Sequence, residues 1–218
     1  MKRLHLLSLA SFVIATPLVI ATPAFAQGFD GFRVEARLGY DSPSLDVEYE
    51  DILGTATAGN NEDGLGFGAE IGYDFQIAEN ATLGGYLGVD FSDSDFCRPI
   101  GRIEQGCLEV RRNIYLGARG GFTVTPSTLL YAKLGYSNGQ ARINFDDTQD
   151  VVDDLVDSGS RDGWHFGLGV EQNFGSMFYG KLEYTYTIYS DIDFENPDFR
   201  VTLDTNRSQF MAGIGLRF

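Results

Sequence analysis

The sequence predicts an all-β chain that closes as an eight-stranded antiparallel up-and-down barrel through a bilayer. Three observations carry this. Apolar residues recur at period two in eight separate segments, the periodicity of a strand with one oily and one polar face. The connections between these segments alternate short and long, which puts tight turns at one end and loops at the other. The polar faces carry glycine, tyrosine and opposed charges, whereas a soluble β-sandwich would turn Thr, Ser and Lys towards water.

The first 26 residues stand apart. Lys2 and Arg3 precede an apolar run over 6–20, and Ala24-Phe25-Ala26 supplies the small-x-small pattern of a signal peptidase site. This reads as a Sec signal cleaved after Ala26. A retained anchor is the alternative, but the run is short and Pro17 interrupts it. Residues 27–218 then form one domain.

The first strand, 32–40, sets Phe32, Val34, Ala36, Leu38 and Tyr40 against Arg33, Glu35, Arg37 and Gly39. Residues 65–75 repeat this, with Leu65, Phe67, Ala69, Ile71, Tyr73 and Phe75 opposite Gly66, Gly68, Glu70, Gly72 and Asp74. In 81–91, Leu83, Leu87, Val89 and Phe91 oppose Thr82, Gly84, Tyr86, Gly88 and Asp90. Further strands are expected at 110–124, 129–137, 164–174, 178–189 and 207–218. About 9 to 11 residues tilted by about 45° cross a bilayer, and a closed sheet leaves no edge for lipid to meet. The connections at 76–80, 125–128 and 175–177 are short, and those at 41–64, 92–109, 138–163 and 190–206 are long. Phe32, Phe75, Phe122, Phe174, Phe178 and Phe218 fall outward at the short-turn end, and Tyr40, Phe91, Tyr136, Trp164 and Tyr186 towards the loop end. Two interfacial girdles result.

Charge excludes other classes. The chain carries 31 Asp+Glu against 16 Lys+Arg, a net charge of −15, which opposes a phosphate backbone and rules out nucleic acid as a partner. A mean hydropathy of −0.12 excludes a bundle of transmembrane helices.

The inward face holds six acids, Glu35, Glu70, Asp74, Asp90, Glu171 and Glu183, and six bases, Arg33, Arg37, Arg119, Lys133, Lys181 and Arg217. Eight strands enclose just enough room for side chains, and Tyr86, Tyr115, Tyr131 and Tyr179 add bulk. Confined charges of opposite sign should pair, making a packed polar core; an ion path is the alternative. The long connections contain 23 acids and 5 bases, a solvated outer surface that could meet divalent cations or a basic extracellular ligand. Asp191, Asp193, Glu195 and Asp198 lack the turn glycine and spaced Glu of an EF-hand, so no metal site is assigned. A helical turn is expected around 151–156. Cys97 and Cys107 share one long connection, and export to an oxidising compartment makes a disulfide the expected state. Enzymatic chemistry has one candidate set, His165 with Ser158 or Ser160; no cofactor motif is present, and the reading is non-enzymatic.

The signal segment, eight alternating strands, alternating connections and the closing Gly213-Ile214-Gly215-Leu216-Arg217-Phe218 resemble the small outer-membrane β-barrels of Gram-negative bacteria, the group of the OmpA membrane domain and the opacity-type surface proteins. The resemblance implies short periplasmic turns and long extracellular loops. It also implies contact with outer-membrane lipid and lipopolysaccharide. In that group a terminal Phe behind alternating apolar residues is read by the barrel assembly machinery, and Phe210, Ala212, Ile214, Leu216 and Phe218 match. The implied protein is a monomer in the outer membrane with a structural or surface-interaction role. A narrow porin-like channel and a lipid A-modifying barrel are the alternatives.

Overall fold

The computed structural model describes residues 28–51, 54–61, 63–93, 95–100, 104–147, 156–190, 192–196 and 199–218. The expected signal segment and the expected helical turn near 151–156 lie outside the described residues, Val156 excepted, which begins a strand. Among the described residues the elements are strands: β1 (Gly31–Asp51), β2 (Gly54–Asn61), β3 (Gly64–Ala78), β4 (Ala81–Ser92), β5 (Asp95–Ile100), β6 (Glu104–Thr125), β7 (Thr128–Asp147), β8 (Val156–Phe174), β9 (Phe178–Tyr189), β10 (Ile192–Asn196) and β11 (Phe199–Arg217).

Eight of them, β1, β3, β4, β6, β7, β8, β9 and β11, pair in chain order, every pair antiparallel, and β11 returns to β1. The barrel is closed. Its seam runs from Arg33↔Arg217 to Asp51↔Phe199, and Phe32 and Phe218 exchange backbone bonds of 3.1 and 2.8 Å at its foot. Closure pairs the backbone of both terminal barrel strands, which is what an apolar surround demands.

The strands run further than alternation alone suggests. β1 continues to Asp51, β7 to Asp147, and β6 and β8 begin at Glu104 and Val156, so much of what reads as long loop is strand. Three short strands also join: β2 on β1, β5 on β6 and β10 on β11. The physical reason is that ladder hydrogen bonds continue wherever neighbouring strands overlap, whereas the oily register is needed only against lipid. At the other end, β3–β4, β6–β7 and β8–β9 are joined by tight turns. Gly175 in the last has φ +80°, a conformation that costs glycine little.

Burial follows parity. In β9, Tyr179, Lys181, Glu183, Thr185, Thr187 and Tyr189 are buried, while Phe178, Leu182, Tyr184 and Ile188 are exposed. The outer surface is a continuous apolar belt: Leu65, Leu168, Ile214 and Phe75 are each more than 60% exposed, which water would penalise and lipid does not. Phe32 and Tyr40 mark its two rims on β1. Eight residues apart, they are separated by about 26 Å along the strand, or about 20 Å of height at 40° tilt.

Inside, four of the buried tyrosines each face a glycine on an adjacent strand. Tyr86↔Gly117, Tyr115↔Gly88, Tyr131↔Gly169 and Tyr179↔Gly215 are direct cross-strand pairs, and the tyrosine ring or hydroxyl lies where a Cβ on that glycine would stand. The alternation of large and empty positions across strands lets four rings lie flat against the wall and leaves the axis to the charged side chains.

Candidate functional site

The inward register delivers the twelve predicted charges to one buried network. β1 supplies Arg33, Glu35 and Arg37, β3 Glu70 and Asp74, β4 Asp90, β6 Arg119, β7 Lys133, β8 Glu171, β9 Lys181 and Glu183, and β11 Arg217. None is more than 6% exposed.

At the turn end, Asp74 is the hub. It accepts from Arg119 Nε at 2.8 Å and Nη2 at 2.5 Å and from Arg217 Nη1 at 2.9 Å, and Arg33 Nε lies 3.0 Å away. Glu171 ties the same arginines together, at 3.0 Å from Arg119 and 2.5 Å from Arg217. Arg217 also donates to the carbonyl of Phe29, whose ring packs with Leu129 and Tyr131 in a small apolar cluster. Phe29 precedes the first strand and has no alternating neighbours, so periodicity does not reveal it.

In the middle layer, Glu183 accepts from Lys133 at 2.6 Å, Arg37 at 2.9 Å, Lys181 at 3.1 Å and Tyr131 at 2.8 Å. Glu70 meets Arg33 at 3.0 Å and Arg37 and Lys133 at 3.4 Å. Glu35 pairs with Lys181 and accepts from the Tyr179 hydroxyl at 2.7 Å. The cations also rest on rings, with Lys133 4.9 Å from the Tyr86 centroid and 5.1 Å from that of Tyr115, an arrangement that adds attraction without another carboxylate. Arg33 and Arg37 each touch two layers, Arg33 through Asp74 and Glu70 and Arg37 through Glu70 and Asp90. One continuous network results.

Above the middle layer sits a group of uncharged partners. His165 sits between Tyr86 Oη, 2.6 Å from Nε2, and Ser137 Oγ, 2.9 Å from Nδ1. A neutral imidazole satisfies both by donating through one nitrogen and accepting at the other. This corrects the candidate set read from sequence: the serine beside His165 is Ser137, while Ser160 is exposed. Ser137 shares inward parity with Tyr131, Lys133 and Gly135, a signal that alternation does carry. His165 is 1% exposed.

A seventh pair closes the loop end. Arg207 donates to Asp41 through Nε and Nη2, both at 2.7 Å, the parallel two-pronged geometry in which guanidinium and carboxylate match best. Sequence reading missed it because Asp41 lies one residue past the last oily position of β1. Its parity with Arg33, Glu35 and Arg37 was the available clue. Between this pair and the middle layer, a cavity of about 10 Å³ is lined by Asp90, Asn113, Ser137, His165, Thr187 and Gln209 among others, room for about one water. A larger groove of about 550 Å³ lies among Leu83, Ala118, Ala132, Leu134, Phe166 and Leu168; these residues face outward, so it belongs to the apolar belt.

Two of the remaining candidates, the cysteine pair and the acidic cluster, lie beyond the belt. Backbone register sets Cys97 directly opposite Cys107 in the β5–β6 ladder. Asp191 and Asp198 fall outside the described residues. At the C-terminus, Phe210, Ala212, Ile214 and Phe218 are exposed and Leu216 is half-buried.

Residues 12–218 match the family model described as outer membrane protein beta-barrel domain. A 25 kDa outer-membrane immunogenic protein of Brucella melitensis biotype 1 is 29% identical over 113 residues, which cover 51% of this chain and 49% of that protein. The chain thus spans about half the length of this curated relative. Among solved structures, the outer membrane protease OmpT of Escherichia coli aligns with a TM-score of 0.51 at 10% identity, covering 90% of this chain and 99% of that one. Ail, the attachment invasion locus protein of Yersinia pestis, aligns with a TM-score of 0.43 at 17% identity, covering 87% and 100%. The likeness to OmpT is one of fold.

Proposed function

This chain belongs to the outer membrane protein β-barrel domain family, and from that premise we propose a monomeric, non-enzymatic surface protein whose lumen is plugged by its own ion pairs. The observation that carries the reading is the lumen itself. Seven acids and seven bases, the twelve predicted from sequence plus Asp41 and Arg207, are buried and in contact with opposite charge. An ion crossing this core would have to break several buried pairs in succession, and each costs kilocalories to leave unpaired. Enzymatic work is not supported, because the one histidine of the described residues is enclosed and its hydrogen bonds are used within the wall.

On this reading the N-terminal segment is a cleaved export signal, and the acidic strand extensions face outward, where a ligand or divalent cations could meet them. The cross-strand register of Cys97 and Cys107 suits a disulfide of the β5–β6 hairpin, because directly opposed residues bring Cα atoms to about 4.5–5.5 Å. The outward apolar series ending at Phe218 serves as the assembly signal, so deleting Phe218 should cut the yield of folded barrel in the outer membrane several-fold while export proceeds. Unchanged yield at native expression would remove that role.

Planar-bilayer recording of refolded, monodisperse protein tests the plug. Most insertions should show no steady open-channel current, with at most brief small openings as pairs rearrange. A persistent conductance of porin size in most insertions would replace the plug with a pore.

A further inference from the structure

Beyond the belt the barrel divides into two four-stranded sheets. One has the order β2, β1, β11, β10, and the other β5, β6, β7 and the first part of β8. Among the described residues, the β8–β9 ladder begins only at Gly163, so each sheet ends in two strands paired on one side only. An unpaired edge carries a row of free N–H and C=O groups ready to accept another strand, and proteins ordinarily blunt such edges with charge, proline or brevity. Three of the four are blunted in this way. β5 contains Arg98 and Pro99, β10 is five residues long with Asp193 and Glu195, and the free part of β8 carries Asp157 and Arg161. β2 is the exception. It is eight residues, Gly-Thr-Ala-Thr-Ala-Gly-Asn-Asn, with neither charge nor proline.

The strand behind it is acidic. Register sets Asp46 and Glu48 of β1 opposite Gly59 and Thr57 of β2, two acids on one face with small residues between them and the edge. At Gly59 the missing side chain matters directly, because the Asp46 carboxylate occupies the space a Cβ there would take. That carboxylate therefore stands over β2 itself. A strand added to β2 would lie about 4.8 Å further out, within reach of a lysine or arginine on the same face.

We propose that the free edge of β2 is a docking site for an extended, basic peptide segment, which adds as a further strand and sets its cations over Asp46 and Glu48. The backbone edge selects a peptide in extended form, since only another main chain matches that row of donors and acceptors. The carboxylates behind it select positive side chains at every second position and repel acidic ones. The proposal rests on the surface-facing reading of these extensions.

The experiment uses the full barrel refolded into lipid nanodiscs, probed with the peptide Lys-Val-Lys-Val-Lys-Val-Lys-Val and its Glu-Val counterpart. Amide hydrogen exchange over Gly54–Asn61 should slow with the lysine peptide and stay unchanged with the glutamate peptide. Asp46→Asn with Glu48→Gln should weaken lysine-peptide binding about tenfold while leaving the β1–β2 ladder protected. Of the neighbouring variants Ala56→Pro and Thr57→Pro, the one whose N–H lies on the free edge should abolish binding with that ladder intact. Equal slowing by both peptides, slowing at β5 or β10 instead, or no change at β2 would overturn the proposal. Labelling of Thr55→Cys on intact cells by a membrane-impermeant maleimide separates the two readings. No label would overturn the surface orientation and the docking site with it, whereas label without peptide binding would overturn the docking site alone.

Discussion

Asp74→Asn lowers the unfolding free energy of the refolded barrel by about 3–5 kcal/mol, the usual cost of breaking a buried ion pair from one side. Asp74 is fully buried and holds three guanidinium groups at 2.5 to 3.0 Å, two of which it shares with Glu171. Asparagine preserves the volume and removes only the charge, so no cavity confuses the result. Glu70 has more cationic neighbours, four, but three of them lie at 3.4 to 3.9 Å, and Arg37, Lys133 and Lys181 each make a shorter contact to Glu183. Its loss should therefore cost less than that of Asp74. Replacing Asp74 by Leu together with Arg119 by Met should cost less than the sum of the two single changes, because neither charge is then stranded. Urea unfolding in lipid vesicles measures all of these. A change under about 0.5 kcal/mol for Asp74→Asn would mean that water reaches the turn end and solvates the arginines.

How much of this was legible beforehand depends on what each residue must satisfy. Lipid imposes the belt, so Val34, Leu38, Ile71 and Leu87 reveal strands and their outward face by parity alone. The same parity places Glu35, Arg37 and Glu183 inside. It does not say which carboxylate meets which cation. Arg37 reaches Glu183 on a strand 146 positions later, and that meeting depends on the stagger of strands around the barrel, which a period-two pattern does not encode. Beyond the belt no solvent boundary enforces alternation. Gly54–Asn61 has the composition of a loop and nonetheless forms a strand, because β1 extends beside it and offers backbone partners. Phe29 was illegible for a related reason, since its burial follows from the carbonyl bond to Arg217 and the packing of Leu129 rather than from any local repeat.

The Asp41–Arg207 pair offers the cleanest separation of stability from plugging. Pro43↔Arg207 and Asp41↔Gln209 are register pairs of the closing β1–β11 seam, so the salt bridge crosses the seam diagonally at the loop end. Both side chains are at most 2% exposed and the bond is two-pronged, so Arg207→Met should cost about 3–5 kcal/mol by stranding the Asp41 carboxylate. Adding Asp41→Leu should recover most of that loss, giving a coupling energy of about 2–3 kcal/mol in a double-mutant cycle. Conductance should not follow stability. With the seam pair gone, the Glu183 and Asp74 layers still fill the lumen below it, and the single variant should remain as silent in planar bilayers as the native barrel. A steady current from Arg207→Met would place the plug at the loop end rather than in the middle of the barrel. Additive single-mutant costs, with no recovery in the double variant, would instead show that Asp41 and Arg207 are solvated separately.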